Sequence, residues 1–468
     1  MGNLPAGAAR FDVAVIGGGV VGCAMARQFA LLGASVVLIE KGADILSGAS
    51  KANSAILHTG FDAPPDSLEL RCIQAGHADY LEIAPKLNLS VLKTGAFLAA
   101  WNEAELEKLD EIVAQAHLNG VHDVARVEPA FIRQREPALS AALRGGVIVP
   151  REYLIDPWSA PLAYLQQAMA HDARVLRQTE VTGGVFDGQQ WDLKTSAGVV
   201  QAHYVINCAG LYGDWLERHC LGTAHFEIRP RKGQFVVFDK AASALLSCIL
   251  LPVPNERTKG VVITPTVFGN LLVGPTAEEQ QDRDRAATDP ETLQELKNIA
   301  IRHIPALAAM PVTAIYAGLR PASEQKSYRI RHEPDQRWIT VGGIRSTGLS
   351  AALGLARHVA GLWEGGVGLM PPSTLSWPQV PNLMEARERD WQRPDHGEIV
   401  CHCELVTRRE IEATFTTALP PGDFGGLKRR TRVCMGRCQG FYCMGQVAEL
   451  TRDYPLATPL MAGCTHGG

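Results

Sequence analysis

The stretch 11-FDVAVIGGGVVGCAMARQFALLGASVVLIE-40 decides the fold of this 468-residue chain. An apolar run ends in three glycines, a helical pattern follows, and a second apolar run ends in Glu40. Gly17, Gly19 and Gly22 have the G-x-G-x-x-G spacing, and together with the distal acid they predict a dinucleotide-binding βαβ unit. The glycines would let a pyrophosphate approach the N-terminus of the helix, and the acid would bond ribose hydroxyls.

The composition is typical of a soluble globular protein, with 46% hydrophobic and 20% charged residues. The net charge of −4 gives no basic field for nucleic acid. No apolar run reaches the roughly 18 residues of a membrane span, so we expect no transmembrane segment, no secretory leader and a cytoplasmic protein. The length predicts two or three domains. Five of the eleven cysteines fall between residues 401 and 443 and indicate a separate C-terminal unit.

The segment after Glu40, 41-KGADILSGASKANSAILHTGF-61, is rich in small residues and lacks a helical period. Small side chains suit a segment that lies along a bound cofactor, and Ser50 could bond its phosphate or ribose. His58 lies in this segment. A lone histidine is commonly a buried group bonded to the backbone, but its place directly after the nucleotide-binding unit also makes it a candidate for proton transfer.

Strand patterns later in the chain predict a second sheet with antiparallel strands at residues 94–100, 145–159, 228–240 and 250–279. The apolar strand that ends in 207-NCAG-210 is expected to return to the nucleotide sheet, where Gly210 lets the backbone approach the cofactor. Gly343 follows another strand, and Gly348 opens a helix at Leu349. This second helix N-terminus would face another electron-rich part of the cofactor.

Some basic residues in strand-end or loop contexts are candidates for substrate binding. They lie close to glycines and are Arg231, Lys232, Lys259, Arg320 and Arg345. Ordinary solvated charge accounts for two or three of them. The alternative is that Lys259 and Arg320 hold an anionic substrate, because a guanidinium can make two parallel hydrogen bonds to carboxylate or phosphate.

The chain changes character after residue 370. Residues 371–397 contain five prolines and no periodicity, which predicts a linker or a strap across the first domain. Thr407 and Glu410 form a capping box that predicts a helix start. The basic run 428-KRRTR-432 is interpreted as solvated charge, with stabilisation of thiolates or docking of an acidic acceptor as alternatives.

Two cysteine pairs in the C-terminal unit predict a four-thiolate metal site. Cys401 and Cys403 are separated by one residue, and Cys438 and Cys443 by four. Four thiolates suit either Zn²⁺ or an iron–sulfur cluster. The first pair is too closely spaced for the usual C-x₂₋₄-C zinc hook.

These motifs resemble the FAD-dependent oxidoreductases of the D-amino-acid-oxidase-like superfamily over about residues 10–370. The nearest branch holds L-2-hydroxyglutarate dehydrogenases and FAD-dependent glycerol-3-phosphate dehydrogenases and oxidases. The resemblance rests on the glycine motif, 51-KANSAILHTGFDAP-64, 206-INCAG-210 and 343-GIRSTGLSAA-352. It implies that His58 is the base and that Lys259 and Arg320 face the substrate. The FAD-binding residues that it implies are Gly17, Gly19, Gly22, Glu40, Ser50, Gly210, Gly343, Gly348, Leu349 and Ser350.

The tail resembles the [2Fe–2S] domains of the bacterioferritin-associated-ferredoxin type, as in the catalytic subunits of anaerobic glycerol-3-phosphate dehydrogenases. The shared features are a C-x-C-E pair before VT and the RRTR-V-x-MG-x-CQG-x-x-C stretch. The ligands that this resemblance implies are Cys401, Cys403, Cys438 and Cys443. Cys434 stands where that family usually has glycine, and a spare ligand, a redox thiol and neutral variation are the alternatives for it. Cys464 receives no role. Beside a flavin, an iron–sulfur cluster is favoured over zinc.

The predicted fold is α/β, with a Rossmann-like FAD-binding domain and an antiparallel-sheet substrate domain in residues 10–370. A linker at 371–397 and a small helical [2Fe–2S]-binding domain at 398–460 follow. The expected activity is oxidation of a small anionic alcohol, and the tail favours glycerol 3-phosphate. The N-terminal half favours a 2-hydroxy acid such as L-2-hydroxyglutarate, and an amino- or imino-acid dehydrogenase is a further alternative.

The expected electron acceptor is a redox partner subunit or a quinone-linked acceptor, reached through the cluster. Any membrane association would then be peripheral and made through that partner. A different class of function stays open as well, namely an electron-transfer subunit that carries flavin and cluster but turns over no substrate. His58 and the basic loop residues disfavour that reading.

Overall fold

The structure, a computed structural model, describes residues 10–254, 260–366 and 368–457. Lys259, Cys464 and the last three residues of the predicted 398–460 domain therefore lie outside the described residues. Within the described ranges the helices are α1 Val20–Leu31, α2 Leu68–Leu87, α3 Glu103–Glu107, α4 Leu109–Leu118, α5 Pro129–Arg135, α6 Ser159–Met169, α7 Gly213–Leu221, α8 Pro290–His303, α9 Gly348–Leu362, α10 Arg408–Phe415, α11 Phe424–Thr431 and α12 Met444–Leu450.

The strands belong to four sheets. In chain order they are β1 Arg10–Ile16, β2 Val36–Ile39, β3 Ile56–Leu57, β4 Val91–Leu92, β5 Ala96–Ala100, β6 Ala125–Val127, β7 Gly145–Val149, β8 Tyr153–Ile155, β9 Arg174–Leu176, β10 Val181–Phe186, β11 Trp191–Thr195, β12 Gly198–Asn207, β13 Arg231–Phe238, β14 Ile249–Pro252, β15 Val262–Pro265, β16 Leu271–Gly274, β17 Glu278–Glu279, β18 Val312–Arg320, β19 Arg329–Glu333, β20 Trp338–Gly342, β21 Ile399–Cys401 and β22 Val406–Thr407.

The nucleotide sheet is built around β1. This strand pairs in parallel with β2 on one side and with β12 on the other, and β20 extends the parallel set beyond β12. At the centre of the sheet residues 13–16 pair with Val36–Ile39, and all of these residues are apolar, as expected for a sheet covered on both faces. Helices α1, α2, α6 and α9 pack together on one face and share a core with the sheet. The predicted βαβ unit and the predicted return strand are both observed.

The second sheet lies on the side of the molecule opposite the nucleotide sheet. Its central pairs, β13 with β18 and β5 with β7, are antiparallel, as the alternating patterns predict. One pair departs from the expectation, because β14 runs parallel to β5. The mixed pairing arises because β14 reaches β5 from a later part of the chain rather than through a hairpin.

A three-stranded sheet of β3, β8 and β4 links these two parts. In its antiparallel register Leu57 lies opposite Tyr153. The residue after Leu57 is His58 and the residue before Tyr153 is Glu152. The register therefore brings those two side chains to one end of this small sheet.

Residues 371–397, here called the strap, contact the main body at several points. Asn88 donates to the Val380 carbonyl at 2.8 Å, and Gln167 donates to the Ser376 carbonyl at 2.6 Å. Lys240 pairs with Glu385 at 2.7 Å. Side chains of the main body thus hold the strap along its length.

The C-terminal unit has its own small apolar core, which includes Val400, Ile411 and Leu427. The predicted capping box is present, since the Thr407 hydroxyl accepts from the Glu410 backbone and the Glu410 carboxylate accepts from the Thr407 backbone. Among the described residues, no helix has the length and apolar character that crossing a membrane requires.

The interpretation of the run 428–432 as solvated charge is wrong. Arg430 is buried and makes two hydrogen bonds to the fully buried carboxylate of Asp44, in the loop that follows β2. Arg432 is buried as well and pairs with Glu404 at 2.8 Å. Arg429 donates to the Ile45 carbonyl at 3.0 Å. The basic run joins the C-terminal unit to the nucleotide-binding part of the chain.

Candidate active site

A cavity of about 750 Å³ lies between the nucleotide sheet and the second sheet, at the carboxyl ends of the parallel strands. This is where open α/β sheets bind their ligands. The predicted site residues that line it are Gly17, Gly19, Glu40, Ser50, His58, Gly210, Arg320, Gly343, Gly348 and Leu349. Residues that are more than three hundred positions apart in the sequence therefore line the same cavity.

Two predicted cofactor residues lie behind the lining. A Cβ atom on Gly22 would come within 1.9 Å of the Gly17 carbonyl oxygen, so this glycine permits the close approach of α1 to the loop. Gly17 itself has φ +109°, a conformation that side chains rarely adopt. Ser350 is buried and directs its hydroxyl to the backbone around β3. Gly22 and Ser350 thus shape the cavity without lining it.

The Glu40 carboxylate braces the glycine loop. Its Oε2 accepts from the Gly18 N–H at 2.6 Å, and its Oε1 accepts from the Gly42 N–H at 2.6 Å. The Ser50 hydroxyl accepts from the Val20 N–H at 3.0 Å, at the start of α1. These bonds hold the N-terminus of α1 and its surrounding loops in the shape of an anion cradle.

His58 is paired with a carboxylate that sequence reasoning did not identify. The Nδ1 atom of His58 lies 2.7 Å from Oε2 of Glu152, whose side chain is fully buried. The other carboxylate oxygen, Oε1, accepts from the Thr59 N–H at 2.6 Å and from the Thr59 hydroxyl at 2.8 Å. The His58 ring is 26% exposed and lines the cavity. Glu152 carries no motif; only the pairing of β3 with β8 reveals it.

Arg320 lies in the wall contributed by the second sheet. It donates to the Thr276 carbonyl at 3.0 Å. Burial, with further contributions from the like charges of Arg231 and Arg345, lowers the pKa of Arg320 to about 10. A bound anion would stabilise the charged guanidinium of Arg320, because it offsets both the lost hydration and the repulsion from the like charges.

Arg231 and Lys232, two of the other basic residues, have acidic partners. Arg231 pairs with Glu279, and Lys232 pairs with Glu278 at 2.9 Å. Arg345 lines the cavity together with Arg320. Lys259 lies outside the described residues, so its predicted role stays a prediction.

A family model described as FAD dependent oxidoreductase matches residues 12–362. The chain belongs to the FAD-dependent oxidoreductase family. FAD is accordingly its cofactor, and the glycine loop, Glu40 and the start of α9 line one cavity at the carboxyl ends of the parallel strands, where such folds bind dinucleotides. The predictions of the family and of FAD are confirmed.

The relatives that align with more than half of this FAD-dependent oxidoreductase include the following three. Glycerol 3-phosphate dehydrogenase from Caloramator mitchellensis is 30% identical, over 94% of this chain and 93% of its own length. Glycerol 3-phosphate oxidase from Mycoplasma pneumoniae is 29% identical over 75% of this chain and 94% of its own. The mitochondrial L-2-hydroxyglutarate dehydrogenase of Homo sapiens is 26% identical over 62% of this chain and 66% of its own.

The fold is also that of solved flavoenzymes. The structure of dithionite-reduced L-alpha-glycerophosphate oxidase from Mycoplasma pneumoniae with FAD bound superposes with a TM-score of 0.74 at 25% identity. The match covers 80% of this chain and all of the oxidase chain. The C-terminal unit of this oxidoreductase lies beyond the family match, which ends at residue 362.

The thiols of the C-terminal unit approach one another in small sets. Cys434 Sγ lies 3.4 Å from Cys443 Sγ, and Cys443 also exchanges a hydrogen bond with Cys401. Cys403 and Cys438 form a separate hydrogen-bonded pair. Backbone N–H groups, first that of Tyr442, hold the pKa of Cys438 below its ordinary value, as suits a thiolate.

These thiols do not form a cage for a single ion. In the part of the chain that the structure describes, no group of three or more His, Cys, Asp or Glu side chains is placed to hold one metal ion. A structural zinc site needs four ligands around one centre. The thiols instead form a set of three, Cys401, Cys434 and Cys443, and a pair, Cys403 and Cys438. Cysteine thiols are chemically suitable ligands for zinc and for an iron–sulfur cluster alike.

Proposed function

We propose that this oxidoreductase oxidises glycerol 3-phosphate in the cavity shared by His58 and Arg320 and passes the electrons through a [2Fe–2S] cluster. The proposed substrate rests on the Caloramator relative, which is named as a glycerol 3-phosphate dehydrogenase and aligns along 94% of the chain. The Mycoplasma oxidase aligns along 94% of its own length but covers only 75% of this chain. The additional part of this chain supports an electron acceptor other than oxygen.

The charge of the cavity wall supports an anionic substrate. Arg320 is partly desolvated and faces the like charges of Arg231 and Arg345. A phosphate group accepts the two parallel hydrogen bonds of a guanidinium and would relieve this repulsion. We assign Lys259 to the same anion site on the basis of the sequence alone.

The chain's own residues would carry out binding and proton transfer. Bound FAD supplies the acceptor for the hydride of the carbinol carbon, at flavin N5. His58 accepts the hydroxyl proton at Nε2, since Nδ1 is engaged by Glu152. Arg320 holds the phosphate and so orients the reacting C–H bond. The residues proposed to hold FAD are Gly17, Gly19, Gly22, Glu40, Ser50 and Gly210, with Gly343, Gly348, Leu349 and Ser350 at the flavin end.

An anaerobic substrate panel tests this assignment. Purified holoenzyme is mixed with sn-glycerol 3-phosphate, L-2-hydroxyglutarate or L-proline, and the loss of visible flavin absorbance is followed. We expect rapid bleaching by glycerol 3-phosphate and little by the other two. Bleaching by none of them would favour an electron-transfer subunit without turnover and would overturn the proposal.

L-2-hydroxyglutarate is the second candidate. The human relative named for this substrate is 26% identical over 62% of the chain. A carboxylate would use the Arg320 guanidinium in the same way as a phosphate. Faster bleaching by L-2-hydroxyglutarate than by glycerol 3-phosphate would select it. Bleaching by L-proline alone would instead select an amino- or imino-acid dehydrogenase.

The ligands proposed for the cluster are Cys401, Cys403, Cys438 and Cys443. The observed pair Cys403–Cys438 and the contact Cys401–Cys443 would then each serve one iron. When bound, the cluster supplies the one-electron transfer that a two-electron donor needs for a one-electron acceptor. A redox partner subunit or a quinone-linked protein would receive the electrons.

Metal analysis tests the cluster directly. Anaerobically prepared protein should contain about two irons per chain with matching acid-labile sulfide, and reduction should give an electron paramagnetic resonance signal. One zinc per chain without iron would contradict the proposal and leave the flavin chemistry untouched.

A further inference from the structure

We infer that Glu152 is a positioning residue that sets the tautomer of His58 and thereby makes its Nε2 the base of the reaction. The inference rests on the proposed function for its kinetic consequence, whereas the tautomer itself is independent of any substrate. Oε2 of Glu152 lies 2.7 Å from Nδ1 of His58. This distance is in the range of a charge-assisted hydrogen bond.

The backbone holds the two partners together. Antiparallel pairing puts Ile56 opposite Leu154 and Leu57 opposite Tyr153, so His58 and Glu152 lie directly beyond the last paired residues, at the same end of the ladder. The His58 N–H donates to the Ser350 hydroxyl at 2.8 Å, which ties this loop to the start of α9. The contact is therefore a consequence of strand register and not of two flexible side chains meeting at the surface.

The hydrogen bonds of the Glu152 carboxylate decide where the His58 proton lies. An ionised carboxylate only accepts. Its Oε1 already accepts two bonds from Thr59, and its Oε2 faces the histidine. The Nδ1 atom must then carry the hydrogen and donate it, which leaves the lone pair of the neutral imidazole on Nε2.

Two neighbouring ionisable groups, His77 and Arg151, have hydrogen-bond partners of their own. His77 contacts the Arg151 carbonyl oxygen through Nε2 at 3.1 Å. The Arg151 guanidinium makes two hydrogen bonds to Asp123. The carboxylate in contact with the His58 Nδ1 is accordingly that of Glu152.

Glu152→Gln separates a positioning role from a packing role because it preserves volume but adds a donor. The Thr59 N–H requires an acceptor, so the amide carbonyl should turn toward Thr59. The amide NH₂ would then face His58 and force Nδ1 to become the acceptor. The proton moves to Nε2, which can no longer take a proton from substrate while the ring is neutral.

The chain offers a matched control in Glu217. This carboxylate is also fully buried and bonds a histidine, His225, through Nδ1 at 2.9 Å and through its backbone N–H at 2.8 Å. It is not among the residues that line the cavity. Glu217→Gln perturbs the same kind of buried pair, and we expect it to affect stability without slowing flavin reduction.

The first arm of the test uses no substrate. Two-bond ¹H–¹⁵N correlation spectra of ¹⁵N-histidine-labelled holoenzyme identify the His58 signals by their loss in His58→Ala. We expect the Nδ1–H tautomer in the wild-type protein and the Nε2–H tautomer in Glu152→Gln. The Nε2–H tautomer in the wild-type protein would overturn the inference, whatever the substrate proves to be.

The second arm measures flavin reduction by sn-glycerol 3-phosphate. Glu152→Gln should reduce its flavin about 10²–10⁴-fold more slowly, the usual contribution of a positioned base, with little change in substrate affinity. The double variant with His58→Ala should be no slower than His58→Ala alone, since Glu152 acts through His58. A Glu152→Gln variant with a wild-type rate, or additive effects in the double variant, would overturn the inference. If wild-type flavin is not reduced at all, the proposed substrate fails and the first arm still decides the tautomer.

Discussion

His58 presents its ring to the cavity, and its removal tests the chemistry most directly. We expect His58→Ala to retain FAD, because the glycine loop and Glu40 lie elsewhere in the cavity. Flavin reduction should slow by roughly 10²–10⁴, the usual contribution of a positioned base. Stopped-flow mixing under anaerobic conditions measures the rate, and the released flavin reports cofactor content. A rate close to that of the wild type would return His58 to a structural role.

Arg320 tests the anion site. Arg320→Lys keeps one positive charge but loses the planar fork, so the apparent Kd for glycerol 3-phosphate should rise while FAD content stays unchanged. The burial and like charges that lower the pKa of Arg320 to about 10 would also lower that of a lysine below its ordinary ~10.4. Deprotonation removes the charge, so affinity in the variant should fall at a lower pH than in the wild type. Substrate titrations of the flavin spectrum at several pH values measure both effects.

A surface arginine provides the control for that substitution. Arg229 pairs with Glu227, and both side chains are 60% exposed. Arg229→Lys should leave affinity unchanged at every pH, since exposed pairs contribute only about 0–1 kcal/mol. Equal behaviour of the two variants would remove Arg320 from the anion site.

Sequence reasoning found the residues that carry a local signal. The glycines of the loop and Glu40 follow from spacing, and His58 follows from its position after the βαβ unit. Glu152 could not be found in this way, because it lies 94 residues from His58 and meets it only through strand register. The pattern at 145–159 predicted a strand but could not name its partner strand.

At the scale of the element, the loop from Cys434 to Cys443 holds a thiol beyond the four proposed ligands. Cys434 has φ +60°, a left-handed conformation that costs a non-glycine residue about 1–2 kcal/mol. Its Sγ lies 3.4 Å from that of Cys443. Glycine adopts this conformation without strain, and the contact leaves Cys434 close to the proposed cluster.

We expect Cys434→Gly to retain iron, sulfide and the resonance signal, because glycine adopts this backbone conformation without strain. Cys438→Ser is the matched variant in the same loop and should lose the signal. It should also lose electron transfer to an external one-electron acceptor, while substrate still reduces its FAD. Signal that survives Cys438→Ser but disappears in Cys434→Gly would show that Cys434 is the true ligand.

Elements that depend on residues close together in the sequence were predicted well, and elements that depend on distant partners were not. The βαβ unit and the capping box at Thr407 and Glu410 depend on neighbouring residues, so the sequence contains their whole signal. The basic run at 428–432 looks like solvated charge because its partner Asp44 is 386 residues away from Arg430. Only the folded chain shows that this run is an internal contact.

At the scale of the whole molecule, two of the ion pairs that join the C-terminal unit to the main body lie in different surroundings. Arg430 and Asp44 are both buried, whereas the Arg437 side chain, which pairs with Asp239, is 67% exposed. Burial alone would raise the pKa of Asp44, but Arg430, Arg177 and Arg429 outweigh it and hold the pKa below its ordinary value. The stabilisation is therefore present above the ordinary pKa of aspartate and is lost only as the pH falls through the lower, folded value. The full stabilisation by the Asp44 ion pair is therefore present at neutral pH.

Arg430→Ala should consequently lower the free energy of unfolding by about 3–5 kcal/mol, because it leaves the Asp44 carboxylate buried without its main partner. Arg437→Ala removes a guanidinium that is itself 67% exposed, and the buried Asp239 carboxylate keeps the hydrogen bond from the Ala241 N–H, so the loss should be smaller, about 1 kcal/mol. Urea unfolding at pH 7, followed separately by flavin fluorescence and by iron release, gives both values. Since Asp44 lies in the loop directly after Glu40, Arg430→Ala should also weaken FAD retention, and Arg437→Ala should not. Equal losses in the two variants would mean that the buried pair contributes no more than a surface contact and that the two parts of the molecule are held together by the strap and its apolar contacts instead.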